Sequence, residues 1–282
     1  MNSMTTLPSL FVSHGSPMIA LEPGAAGAFL TRLGPAVDAT FGRPKAIVVA
    51  SAHTTAREPV LLAGAQHQAI YDFGNFDPKL FTLRYDAAGA PALAQHVAAL
   101  LKAAKLPVHV VDQGGLDHGI WTALRYVYPQ ADIPIVPLAF VPSAAPRDQF
   151  ALGEALAPLR DEGVLVLGTG SITHNLQRVF ANGLRAPSDG PEAADSAAFR
   201  EWMHRRSEAR DWEALFDYRR QAPHAREMHP TDEHLLPFYV AAGAGGRDAT
   251  PARLHDSVTH GVLGMDAYAF GSGATELLAA LA

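Results

Sequence analysis

The sequence predicts a single α/β domain over residues 1–282, built on a central, mostly parallel or mixed sheet with helices on both faces. Three observations lead there. The chain has 282 residues, 48% of them apolar, enough for one sizeable core. Four short, continuous apolar runs read as strands buried on both faces. Helical stretches lie between them, and such alternation marks a sheet covered by helices.

The predicted strands are Ser9–Ser13, Ala46–Ala52, Ile133–Phe140 and Val164–Leu167, with Val108–Val111 as a weaker fifth. Ala90–Ala104 is rich in Ala and Leu, and Pro91 suits a first helical turn. Trp121–Val127 reads as a shorter helix ending at Tyr128-Pro129, and Asp148–Asp161 as another, followed by Gly163. Gln66–Tyr85 mixes aromatics with Gly, Asn, Asp and Pro, so it is expected to be an ordered loop. Ala186–Ala194 reads as an exposed loop, Asp195–Tyr218 as a charged helical region, and His234–Ala244 as a helix closed by Gly243. Ala252–Val258 and Asp266–Phe270 complete the chain as a strand pair.

Composition removes several classes of function. A net charge of −6 does not favour nucleic acid or an anionic membrane. With no cysteine there is no disulfide, thiolate zinc site or Cys nucleophile, so any metal must be held by nitrogen and oxygen. Met1 to Leu7 lacks the basic segment and apolar core of a signal peptide, and no apolar run reaches the roughly 18 residues of a spanning helix. The expectation is a soluble, cytoplasmic protein.

Histidines carry the chemical signal. Of 13, five stand at predicted element ends beside small residues. His14 and His53 follow strands. His118 lies in Gly114-Gly115-Leu116-Asp117-His118-Gly119, and His174 follows a strand through the Gly-rich turn Gly168-Thr169-Gly170. His234 opens a helix, where Thr231 and the acids after it resemble a capping signature. A lone histidine at a strand end is usually structural, but five together point to a histidine-rich metal site at the rim where open α/β sheets bind ligands. His67, His96, His109, His204, His255 and His260 carry no matching signature and read as surface or supporting residues; His224 and His229 flank the His234 segment. Gly168-Thr169-Gly170-Ser171 lacks a phosphate-loop Lys, and no Gly-x-Ser-x-Gly elbow supports a serine hydrolase. The aromatic loop around Tyr71, Phe73 and Phe76 is either ordinary packing or the wall of an aromatic pocket.

Taken in order, several strings resemble the class III extradiol ring-cleavage dioxygenases, in the branch similar to 4,5-DOPA dioxygenase. They are His14-Gly15-Ser16-Pro17-Met18, Ser51-Ala52-His53, Ile70-Tyr71-Asp72-Phe73-Gly74-Asn75-Phe76, Leu116-Asp117-His118-Gly119-Ile120-Trp121, Tyr128-Pro129-Gln130-Ala131-Asp132-Ile133-Pro134, Thr173-His174-Asn175-Leu176 and Pro230-Thr231-Asp232-Glu233-His234. The resemblance implies one extradiol dioxygenase-like catalytic domain, a non-haem iron(II) site, and a catechol and O2 as substrates. It carries His14 and His53 over as ligands. It places the third ligand at His234, with Glu233 as the alternative. His174 matches the active-site base and would lie close enough to act as a fourth ligand. His118 is assigned to hydrogen-bond oxygen or substrate and return a proton, or else to orient a ligand. An all-nitrogen set also suits zinc, so zinc is expected to be able to occupy the site in purified protein. Two alternatives remain: a non-enzymatic binding protein of the same superfamily, and a zinc-dependent hydrolase.

Overall fold

The computed structural model describes residues 6–180 and 187–282. Its strands are β1 (Ser9–Ser13), β2 (Ala46–Ser51), β3 (Val60–Leu62), β4 (Gln66–His67), β5 (Ala87–Ala88), β6 (His109–Val111), β7 (Ile135–Ala139), β8 (Val164–Gly170), β9 (Ala252–His255), β10 (Val258–Thr259), β11 (Leu263–Gly264) and β12 (Ala267–Phe270). The helices are α1 (Gly24–Phe41), α2 (Pro91–Ala103), α3 (His118–Val127), α4 (Pro146–Leu156), α5 (Leu176–Val179), α6 (Ala194–Glu208), α7 (Trp212–Phe216), α8 (Tyr218–Gln221), α9 (Ala225–Met228), α10 (Leu236–Gly245) and α11 (Ala274–Leu281).

Eight strands form one mixed sheet in the order β6-β3-β7-β2-β8-β1-β12-β9. The central four, β7-β2-β8-β1, are parallel; β12 and β9 close one side antiparallel. Successive side chains of a strand point to opposite faces. Along β2, Ala46, Val48 and Ala50 therefore enter a core shared with Phe150 of α4 and Phe238 of α10. Ile47 and Val49 enter the other core, with Leu30 of α1, Leu124 of α3 and Leu277 of α11. Each Val, Ile, Leu or Phe side chain buried this fully stabilises the fold by about 1.5–3 kcal/mol.

Several expectations shift. Gly168-Thr169-Gly170 is strand, not turn: β8 runs to Gly170. The glycines serve close packing instead, since a Cβ at Gly168 would stand 2.2 Å from Pro237 O and one at Gly170 2.0 Å from His234 O. The segment around α10 can thus lie directly on the strand. Thr231 does not cap that helix. Its hydroxyl donates to Glu233 Oε1, and α10 begins two residues after His234 with Pro237 in its first turn. α3 starts earlier than expected, at His118, because the Asp117 carboxylate accepts from Ile120 N and caps it. α4 ends at Leu156 and a 3-10 turn continues to Arg160. The charged region divides into α6, α7 and α8, and of the predicted loop Ala186–Ala194, Ala186 lies outside the described residues. α1 has no counterpart in the sequence reading.

One buried charge cluster joins α6 to the strand end beside His14. Arg200, 5% exposed, donates to Asp266 Oδ2 at 2.7 Å and to both carboxylate oxygens of Glu192, and pairs with Asp256. Asp266 is fully buried, and its carbonyl accepts from both Ser13 N and Ser13 Oγ. Arg200→Leu would leave the Asp266 carboxylate without its main partner. The expected loss is about 3–5 kcal/mol of unfolding free energy, read by urea titration. A change under 1 kcal/mol would show the cluster to be energetically neutral.

Candidate metal centre

Three imidazoles meet at the C-terminal rim of the parallel strands. His14 directly follows β1, His53 stands two residues beyond β2, and His234 enters from the turn before α10. His53 Nε2 lies 3.1 Å from His14 Nε2 and 3.3 Å from His234 Nε2. The proton positions decide what this means. The Thr169 hydroxyl gives its only proton to Gly119 O, so at 2.9 Å it accepts from His14 Nδ1–H. His234 Nδ1 donates to Glu233 Oε1 at 3.0 Å. Both rings therefore turn bare Nε2 lone pairs towards His53. A proton on His53 Nε2 could serve only one of them well, whereas a cation between the rings would serve all three lone pairs. Bonds of about 2.0–2.1 Å to a shared ion space donors roughly 3.0–3.4 Å apart, so the set fits a metal.

The electrostatics agree. Burial, reinforced by the neighbouring histidines, pushes His14 and His234 well below the usual histidine range. Burial also takes His53 down to about 4, with His118 adding to the effect. All three rings are neutral at pH 7, the form that ligates. Glu233 is not in this three-donor set; it orients His234.

Two further histidines border the set. His118 heads α3, and its Nδ1 and backbone N both contact Asp72 Oδ1 at 3.0 Å. The other Asp72 oxygen faces His53 Nδ1 at 3.9 Å. Burial would raise the Asp72 pKa, but the hydrogen bonds and charge of His118 outweigh it and keep the carboxylate ionised. His174 stacks on His234, with ring centroids 3.4 Å apart and planes 7° from parallel. It groups with His234 and Glu233, not with His14 and His53. Burial first, then His229, hold it down to about 3.

A cavity of about 230 Å³ opens over these rings, walled by Phe73 and Phe76. Tyr71 is not in that wall. It stands behind Phe73, donating to Leu83 O and packing against Trp121. Of the other histidines, His96 and His109 are exposed and paired with Glu162 and Glu58. His67 is buried and accepts from Gly115 N, bracing the loop that leads to His118. His260 lines the cavity. His229 is buried and hydrogen-bonded to Ile172 O, behind His174.

Sequence reasoning missed Asp72, Asp117 and Thr169. Asp117 accepts from Ser51 Oγ at 2.7 Å and Thr54 Oγ1 at 2.5 Å, tying the end of β2 to the start of α3. The signal for Asp72 was an acid inside an aromatic loop. Space is as tightly set as hydrogen bonding: a Cβ at Gly119 would stand 2.7 Å from Ser51 Oγ and 2.9 Å from His14 Cε1. Gly119→Ala should therefore displace His14 and weaken metal affinity about 10–100-fold, the range for disturbed ligand orientation. Competition with a chelating dye measures this, and unchanged affinity would show that the rim yields.

Residues 8–271 match the family described as the catalytic LigB subunit of aromatic ring-opening dioxygenase. A 4,5-DOPA dioxygenase extradiol of Beta vulgaris is 35% identical over 94% of this chain and 96% of its own length. One from Escherichia coli K12 is 36% identical over 86% of both chains. A crystal structure of an uncharacterised Escherichia coli K12 protein superposes with a TM-score of 0.74 at 30% identity, covering 94% of this chain and all of the other. With its histidine cluster at the sheet rim and a family match spanning nearly its whole length, the chain belongs to the LigB family of aromatic ring-opening dioxygenases.

Proposed function

We propose that the protein is an iron(II)-dependent extradiol dioxygenase that opens a catechol ring with O2. The observation that carries this is the convergence of three imidazole Nε2 atoms, two of them on rings whose Nδ1 protons are engaged away from the centre. His14, His53 and His234 would hold the iron. When bound, iron(II) supplies the open coordination positions and the electron density that the ring and oxygen need to react. Both oxygen atoms enter the product, and the ring opens beside the two hydroxyls to give a muconic semialdehyde.

The chain's own residues handle protons and position. His174, which lines the cavity beside His234, takes the proton from a catechol hydroxyl. Asp72 holds the proton of His118 on Nδ1, which leaves His118 Nε2 to hydrogen-bond oxygen or substrate and later return a proton. Phe73 and Phe76 wall the ring's site and keep water from it.

The test is anaerobic loading with iron(II), followed by oxygen uptake during addition of catechols. Oxygen consumed in step with catechol, one for one, is the expected result. A zinc hydrolase or a binding protein would consume none, and zinc-loaded protein serves as the control.

A further inference from the structure

We infer that the substrate is a catechol bearing an uncharged, hydrophobic substituent, and that Leu176 and Phe180 hold that substituent. This rests on the proposed catechol chemistry. The inner cavity is large enough for the ring, yet it does not end at the ring. It continues into an outer cavity of about 690 Å³ that shares Gly74, Phe76, Leu176 and Phe180 with it. A plain catechol leaves that outer space unused.

The walls of the shared passage are apolar by construction. Leu176 and Phe180 are four residues apart on one helical turn, with Phe180 N donating to Leu176 O, so they stand on one face. Between them Val179 is buried against Val262 and Leu263 at the edge of the inner cavity. The anchor thus fixes α5 with its two large apolar side chains turned outward, 44% and 40% exposed, over the passage. Phe76 faces them from the aromatic loop. Exposing two such residues beside a cavity is unfavourable unless something apolar covers them.

Charge decides against an anionic substituent. Among the described residues, no Lys or Arg lines either cavity. Asp72 lines the inner cavity and Asp77 the outer one. A carboxylate on the substrate would pass Asp72 and Asp77 with no described Lys or Arg in either lining to receive it.

The experiment is calorimetric titration of zinc-loaded protein, without oxygen, with catechol, 4-butylcatechol and 3,4-dihydroxybenzoate. A fully buried methylene changes affinity about three- to fourfold, so a half-covered butyl chain should bind about tenfold tighter than catechol. A negative heat-capacity change should accompany it, and dihydroxybenzoate should bind more weakly than catechol. Leu176→Ser and Phe180→Ser should each shrink the butyl advantage towards twofold. Equal affinity across the series, or preference for dihydroxybenzoate, overturns the inference. So does a butyl advantage that persists in both variants. Should a variant misfold, the series on the unaltered protein still decides. Tight binding of butylcatechol without oxygen uptake by iron-loaded protein would overturn the dioxygenase reading and leave the subsite standing.

Discussion

His14→Ala and His53→Ala are each expected to abolish retained metal and ring-opening activity together. Each removes one of three nitrogen donors that lie 3.1–3.3 Å from His53 or are His53 itself. Removing a group that merely orients a ligand typically costs 10–100-fold in affinity, so removing the ligand should exceed about 100-fold. His14 is also buried and fixed through Thr169 and Gly119. Metal per chain after dialysis is the measurement. Near-stoichiometric metal in either variant would take that residue out of the ligand set.

The second large effect separates chemistry from ligation. His174→Gln should keep most of its metal but lose activity by about 10²–10⁴-fold, the usual worth of general acid–base catalysis. The geometry distinguishes His174 from the ligands: its ring lies flat against His234, outside the set formed by His14, His53 and His234. Iron content and oxygen uptake should be read on one sample. Parallel loss of both would make His174 a fourth ligand. Full iron with full activity would leave it neither base nor ligand.

The central strands were legible because they are buried on both faces, so each appears as a short unbroken apolar run, whereas β3, three residues long and only partly buried, was not read. The site histidines were legible for a related reason, since an imidazole just past such a run has only the sheet rim to occupy. α1 was not read, although Ala26, Phe29, Leu30, Leu33 and Val37 form a buried stripe at helical spacing. Gly24, Gly27, Gly34 and Pro35 argue locally against a helix, and tertiary packing overrides them: a Cβ at Gly34 would stand 2.0 Å from Val127 O, where α1 lies on α3. Gly168 and Gly170 misled for the same reason. Glycine in a turn and glycine under a crossing backbone look identical in a sequence. Asp72 and Thr169 could not be found by spacing, because their partners His118 and His14 are distant along the chain and only the fold supplies the pairing. Tyr71 shows the limit of aromatic clustering: of three neighbouring rings, two face the cavity and one supports them.

The donors come from opposite ends of the polypeptide. His14 follows the first strand, and His234 arrives only after α9, while β12 must return to pair with β1 beside it. A growing chain therefore cannot assemble the centre until nearly all of it has been made. A metal held there would stabilise only chains made at least as far as His234. An ion present at a hundred times its dissociation constant would add about 2.7 kcal/mol to the finished fold alone, so intact chains would be protected while truncated ones, lacking His234, would be left to proteolysis.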